Sequence, residues 1–313
     1  MTTVFFATDV HGSDICWKKF IAAGKFYKAD VIVLGGDMTG KAIVPIVHQG
    51  GDFYIATLLE QRFELHGDQQ VQEMVKNVKS RGYYPYVTNP DEIAELEKNP
   101  DRVHDLFGQE VLKTARAWMA YADEKLEGSG VRCYVAPGND DMFELDDIIR
   151  ASRHVHLAEG EVVNLGDDFE MVSSGWSNVT PWHTYREEEE PALKQRLETM
   201  ILKLRDPKLS VFNFHVPAYD CNLDEAPELT ADLRPKLGGR ALIPVGSKAV
   251  RELVEKYQPT LALFGHVHEG KGTSRIGKTL CINPGSMYEQ GRLLGAVVQL
   301  KKGKVVSHLL TTG

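Results

Sequence analysis

Val4-Phe5-Phe6-Ala7-Thr8-Asp9-Val10-His11 opens the chain with four apolar residues in a row, followed closely by two potential metal ligands. A short apolar run of this kind reads as a buried strand. Trp17–Tyr27 then has helical spacing, and Val31–Leu34 is a second buried run that ends in Gly35-Gly36-Asp37. β-α-β order gives neighbouring parallel strands joined by a right-handed crossover. Asp9, His11 and Asp37 therefore fall at the carboxyl ends of two such strands, the rim at which open α/β sheets bind ligands.

The pattern returns three more times. Val131–Ala136 delivers Gly138-Asn139-Asp140, Ser210–Phe214 ends at His215, and Thr260–Phe264 ends at Gly265-His266-Val267-His268. Asp9 and His11 alternate on what reads as an extended segment, so both can point the same way. His266 and His268 share that spacing behind a glycine that allows a sharp exit. Singly these motifs are weak: Gly-Asp is common turn chemistry, and a histidine can simply cap a strand end. Jointly they bring seven O and N donors to one rim, enough for two metal ions that share a ligand. Such a pair is a device for attacking phosphate esters with water.

Composition narrows the classes. A chain of 313 residues allows one or two domains and a sizeable core. Hydrophobic residues at 42% and charged residues at 26% give an ordinary globular balance. The net charge of −8 argues against broad nucleic-acid binding. A small anionic substrate stays open, because bound metal ions dominate their local field. Cys16, Cys133, Cys221 and Cys281 are far apart without a CxxC pair, so a disulfide framework is not expected, in keeping with a reducing compartment. The chain enters a strand at once, and no stretch approaches the ~18 consecutive apolar residues of a membrane span. A cytoplasmic protein without membrane attachment is the expectation.

Between Asp37 and Asn139 the chain is far longer than one crossover helix requires. Ala42–Val47 and Phe53–Ala56 flank Gly50-Gly51, a hairpin signal, and Asp68–Ser80, Asp91–Leu96 and Arg102–Leu126 have helical patterns. Residues 41–130 therefore read as an insertion of hairpin plus helices within a single domain spanning 1–313, with no second run of buried strands. A charged helix is expected over Glu189–Leu204, with the Glu187–Glu190 run as its first turn. Beyond His268, Thr279–Ile282, Leu294–Leu300 and Val305–Leu310 read as strands.

The series Asp-x-His, Gly-Asp, Gly-Asn, His, Gly-His-x-His, each at a strand exit, resembles the calcineurin-like metallophosphoesterase family. The resemblance runs from Asp9 to His268 and includes Asn283-Pro284-Gly285-Ser286. Within the family it is similar to predicted phosphoesterases related to bacterial cyclic-nucleotide phosphodiesterases. It implies an α/β fold, a four-layer α/β/β/α sandwich with two mixed β-sheets. It also implies that Asp9, His11 and His268 hold one metal, that Asn139, His215 and His266 hold the other, and that Asp37 bridges them. The donors suit two divalent transition-metal ions among Mn, Fe, Zn, Ni and Co. A hydroxide bridging the two ions would then cleave a phosphoester P–O bond, with phosphodiesters preferred. Phosphomonoesterase or phosphoprotein phosphatase activity is the enzymatic alternative, and a non-catalytic metal-binding scaffold is the alternative of another class. The implied partner is a small phosphoester substrate, with nucleotides among the candidates.

One departure from the family pattern concerns the leaving group. Many members have a histidine after Gly-Asn, assigned to leaving-group protonation, whereas this chain has Asp140-Asp141. Asp140 is then either the catalytic acid, if its site raises its pKa, or a carboxylate that orients His11 or a metal-bound water. His183 is a weaker substitute for that histidine, a solvated loop residue being its simpler reading. Asn283-Pro284-Gly285-Ser286 reads as structural support. Tyr83-Tyr84-Pro85-Tyr86 reads as packing of the insertion, or as a contact for a base or partner. The loop Pro217–Leu242, rich in Asp, Pro and Gly, is a candidate cover for the site.

Overall fold

The computed structural model describes residues 1–313. β1 (Thr2–Ala7), α1 (Asp14–Phe26) and β2 (Val31–Leu34) form the opening β-α-β unit. There follow β3 (Ile43–Gly50), β4 (Phe53–Leu58), β5 (Gln61–His66), α2 (Gly67–Ser80), β6 (Tyr84–Thr88), α3 (Pro90–Leu96) and α4 (Pro100–Leu126). β7 (Arg132–Val135), α5 (Leu145–Arg150) and β8 (Val155–Leu157) complete the first half. The second half opens with β9 (Val162–Gly166), β10 (Phe169–Ser174), the short β11 (Ser177–Asn178) and β12 (Glu187–Glu188), α6 (Glu190–Ile201) and β13 (Ser210–Phe214). It continues through β14 (Glu225–Pro227), β15 (Leu242–Pro244), α7 (Lys248–Tyr257), β16 (Leu261–Leu263), β17 (Gly272–Ile276) and β18 (Thr279–Asn283). The chain finishes with the hairpin β19 (Leu294–Lys301) and β20 (Lys304–Thr312).

Two six-stranded mixed sheets carry the architecture, ordered β20-β19-β1-β2-β7-β8 and β17-β18-β16-β13-β10-β9. Strands β1, β2, β7 and β8 are mutually parallel in the first, as are β18, β16, β13 and β10 in the second. Alternation along each strand explains the stacking. Val4, Phe6, Val31 and Val33 point into a core shared with Met171, Val211, Leu261 and Leu263, so the two sheets pack face to face. Phe5, Ala7, Ile32 and Leu34 point the other way, against Trp17 and Phe20 of α1 and Trp118 and Met119 of α4. Phe212, Phe214 and Ala262 likewise bury against Leu193 and Leu197 of α6 and Val250 and Leu253 of α7. The result is the four-layer α/β/β/α sandwich, and strands covered on both faces are why the sequence shows continuous apolar runs.

The segment after Asp37 is richer in strands than its sequence indicates. β3 and β4 form the expected hairpin across Gly50-Gly51, but β5 and β6 join them in a four-stranded sheet, β5-β4-β3-β6. Val44, Ile46, Ala56, Leu58 and Leu65 pack there against Val71, Met74 and Val78 of α2, a small core of their own. This corrects the expectation of no second run of strands. β5 (Gln-Arg-Phe-Glu-Leu-His) lies largely exposed, so it lacks the apolar signal of a buried strand. The glutamate run is also divided differently. Glu187 and Glu188 are in β12, and only Glu190 lies in the first turn of α6. The Glu190 carboxylate accepts hydrogen bonds from the Lys248 and Ala249 N–H groups, capping α7 instead. No helix is long and apolar enough to cross a membrane.

Candidate metal centre

All seven proposed ligands lie just past the carboxyl ends of parallel strands. Asp9 and His11 follow β1, Asp37 follows β2, Asn139 follows β7, His215 follows β13, and His266 and His268 follow β16. Because β1, β2 and β7 are adjacent in one sheet and β13 and β16 in the other, the ends meet where the two sheets face each other. Strand pairing continues into the loops. The Asp9 N–H donates to the Gly36 carbonyl at 3.0 Å, and the His11 N–H donates to the Asp37 carbonyl at 3.0 Å.

The donor atoms form linked clusters. Those of Asp9, His11 and His268 lie within 4.8 Å of one another, as do those of Asp37, His215 and His266. Asp37 stands between them, its Oδ2 lying 3.6 Å from His11 Nε2 and 3.3 Å from His215 Nε2. The Asn139 Oδ1 is 2.8 Å from His266 Nδ1. Asp9, His11, Asp37, Asn139 and His215 are all buried.

The pattern of donors and acceptors suits a cation. His215 Nδ1 lies 3.0 Å from the Gly35 carbonyl and His11 Nδ1 3.3 Å from that of Thr39, contacts that only an N–H satisfies. In the neutral rings each Nε2 is then a lone pair aimed inward, the tautomer found in metal-binding histidines. His215 Nε2 is buried without a hydrogen-bond partner, and the His11 and His268 Nε2 atoms approach to 3.0 Å. Lone pairs and carboxylate oxygens crowded together repel unless positive charge lies between them. The oxygen and imidazole donor set fits divalent transition metals.

The ionisation of these groups has the same basis. Burial would raise the Asp37 carboxyl, but His215 and His11 outweigh it and hold it well below the usual range. Burial likewise opposes ionisation of Asp9, and His268 and His215 hold that carboxyl low. Burial pushes His11 down to about 3 and, with the charge of His215, pushes His266 down to about 4, keeping both rings neutral. At His215 burial is overcome by Asp37 and Asp9, which raise the ring to about 10. Metal binding at such a site releases protons.

The backbone is strained where the candidate ligands attach. Asp9, His11, Asp37 and His266 have φ of 52°, 38°, 45° and 64°, in the left-handed region. Each such residue costs of order 1–3 kcal/mol and persists only where surrounding structure holds it. This corrects the reading of Asp9-Val10-His11 as extended. Their side chains converge because the loop pairs with Gly36-Asp37-Met38, not because of a strand-like alternation. Close approach explains two motif glycines. A Cβ at Gly36, itself at φ 131°, would lie 2.1 Å from His215 Nδ1, and one at Gly138 would lie 2.2 Å from Asp37 Oδ1.

The remaining residues singled out by sequence divide clearly. The Asp140 carboxylate faces Lys41 Nζ at 3.2 Å, while His11 Nδ1, at 4.0 Å, lies closer to the Thr39 carbonyl. Burial and Asp37 push Asp140 up to about 6, against the opposing charge of Lys41. His183 is exposed, although its neighbours Trp182 and Thr184 line the cavity over the centre. Asn283 is buried and its Nδ2 donates to the carbonyls of Leu223, Gly265 and Val267, while Ser286 Oγ donates to the Asp9 carbonyl at 2.6 Å. Tyr84 is packing: its buried hydroxyl accepts the Gly40 N–H at 2.8 Å. Ala226 and Pro227, from the loop proposed as cover, form one wall of the cavity, whose volume is about 590 Å³.

Three residues near the centre are not legible in the sequence. Lys41 borders the cavity, and the Asp140 contact reveals it only in three dimensions. Asp141, half of the Asp140-Asp141 doublet, is fully buried and ties the β2 and β7 loops together. Arg186, also buried, donates to the Asp141 carbonyl and to Asp146 Oδ1, and no motif marks it.

Solved structures share this architecture. The crystal structure of TT1561 from Thermus thermophilus is similar with a TM-score of 0.54 and 14% identity, over 100% of this chain and 98% of that one. A second crystal structure is similar with a TM-score of 0.55 and 15% identity, again over 100% and 98% of the two chains. At such identities the likeness shows the fold. Residues 239–309, which contain His266 and His268, match the family model described as "Metallophosphoesterase, calcineurin superfamily". Over that segment the chain is similar to the calcineurin-like metallophosphoesterases. Among curated proteins, the chain is 27% identical over 150 residues to the uncharacterized protein MJ1162 of Methanocaldococcus jannaschii. That match spans 47% of this chain and 61% of the relative.

Proposed function

We propose that this protein is a metallophosphoesterase that uses two divalent metal ions to hydrolyse a phosphoester P–O bond, with phosphodiesters preferred over monoesters. The observation that carries the reading is the position of Asp37 between a cluster of Asp9, His11 and His268 and a cluster of His215 and His266, with Asn139 beside the latter. Two ions held there would supply an activated water and electrophilic stabilisation of the phosphoryl oxygens. The chain itself supplies rigidity and charge. Asp9 and Asp37 offset the cations, and the backbone carbonyls of Thr39 and Gly35 set the tautomers of His11 and His215. Thr184 Oγ1 accepts from Asn139 Nδ2 at 2.9 Å, which leaves the amide oxygen turned toward His266.

The diester preference rests on the walls of the cavity. Phe107, Trp182 and Tyr185 with Ala226 and Pro227 give a largely apolar, aromatic lining beside the ligands, suited to a second ester substituent. The lining contains a single lysine and no arginine, a modest complement for a dianionic monoester. The test is turnover of bis-p-nitrophenyl phosphate and p-nitrophenyl phosphate with added Mn²⁺, Zn²⁺, Co²⁺, Ni²⁺ or Fe²⁺, for the wild type and Asp37→Ala. Diester turnover lost in the variant is the expected result. Equal, negligible rates for both proteins with every metal would leave a non-catalytic metal-binding module.

A further inference from the structure

Lys41 is the one lysine or arginine on the walls of the 590 Å³ cavity, where Asp37, Asp140 and Glu269 contribute carboxylates. It also borders a second cavity, of about 370 Å³, together with His268, Ser286 and Tyr288. Its side chain is 49% exposed, yet Nζ lies 3.2 Å from Asp140 Oδ2. The backbone that carries it is pinned on the N-terminal side. Thr39 N–H donates to Asp141 Oδ1 at 2.8 Å, and Gly40 N–H donates to the Tyr84 hydroxyl at 2.8 Å. An ammonium has three N–H donors, so an ion pair with one carboxylate leaves donors for a second anion. Asp140 also receives Asn139 Nδ2 at 3.2 Å, and its own N–H donates to Asp37 Oδ1 at 3.1 Å, which fixes the carboxylate relative to the metal ligands.

Resting on the phosphohydrolase reading above, we propose that Lys41 binds a non-bridging phosphoryl oxygen of the substrate and that Asp140 is the positioning residue that aims its ammonium. A lysine binds phosphate as a point charge, so its contribution grows with the charge of the ligand. A dianionic monoester therefore gains more from it than a monoanionic diester. Asp140 occupies the place after Gly-Asn but acts through its partner: the pair puts a permanent cation beside the centre.

Calorimetric titration of inorganic phosphate into Mn²⁺-loaded wild type, Lys41→Met, Lys41→Arg and Asp140→Asn tests this directly. The expected result is binding weakened about tenfold in Lys41→Met, within about threefold of wild type in Lys41→Arg, and intermediate in Asp140→Asn, with bound Mn²⁺ unchanged. In turnover assays Lys41→Met should raise KM more for p-nitrophenyl phosphate than for bis-p-nitrophenyl phosphate, with less effect on kcat. Wild-type phosphate affinity in Lys41→Met, a loss that merely follows loss of Mn²⁺, or no phosphate binding by the wild type would each overturn the role of Lys41. Wild-type affinity in Asp140→Asn alone would remove the positioning role. Absence of turnover by the wild type would end the phosphohydrolase reading, while the phosphate titration still decides Lys41.

Discussion

Asp141 Oδ1 accepts two hydrogen bonds from Thr39, one from its N–H at 2.8 Å and one from its hydroxyl at 2.7 Å. Its Oδ2 accepts the N–H groups of Met38 and Gly138, each at 2.8 Å. One buried carboxylate thus ties the loop carrying Asp37 to the loop carrying Asn139, which lie on neighbouring strands β2 and β7.

Asp141→Ala leaves those donors unsatisfied in a buried place. Loss of about 1–3 kcal/mol of stability is expected, with weaker Mn²⁺ binding because Asp37 and Asn139 lose their common brace. Urea unfolding and equilibrium dialysis measure the two effects. Unchanged metal affinity in a destabilised variant would show that the brace serves the fold alone.

Metal binding should itself stabilise the protein. A site occupied only in the folded state adds about 2.7 kcal/mol at a free ligand concentration one hundred times Kd. Mn²⁺ is therefore expected to raise the Tm of metal-free wild type, and His215→Ala should abolish most of that rise. The exposed His183→Ala should retain it in full. An equal loss in both variants would contradict the placement of the site.

Asn283 is buried, and its amide serves the Gly-His-Val-His loop. Asn283→Ala removes donors to the Gly265 and Val267 carbonyls and should destabilise by about 1–3 kcal/mol. Asn283→Asp should be worse at neutral pH, since a carboxylate would face those carbonyl oxygens. Thermal unfolding of both variants checks the order, and a more stable Asp variant would refute it.

Glu159 supplies a pH-dependent prediction away from the metal ligands. Burial pushes its carboxyl up to about 7, against the opposing Gly175 N–H, which it accepts at 2.6 Å. A carboxyl whose folded pKa is raised contributes stability in full below its unfolded value near 4.5, and that contribution is lost as pH rises through about 7. Glu159→Gln is therefore expected to be more stable than wild type at pH 8, by on the order of 1–3 kcal/mol, and no more stable at pH 4.5. Tm measured across that range reads the sign, and a variant no more stable at pH 8 would negate it.

Much of the framework is legible because it is local. The runs at Val4–Ala7, Val31–Leu34 and Ser210–Phe214 appear as strands at β1, β2 and β13, since burial on both faces leaves an uninterrupted apolar signature. The exposed β5 has no such signature and is silent in the sequence. Glu187 and Glu188 read as the first turn of a helix, because local preference cannot show that α7 lies close enough for Glu190 to cap it.

For the centre, the seven donors and their order can be read from residue types and spacing alone, because each motif follows its own strand. Their conformations cannot. Asp9, His11, Asp37 and His266 adopt left-handed backbone that hydrogen bonds and packing between distant loops hold in place. The Asp140–Lys41 pair and the Asp141 brace likewise depend on which loops lie side by side. Chemical identity travels with the chain. Approach distances and the charge seen by each carboxylate arise only when two sheets bring their strand ends to the same rim.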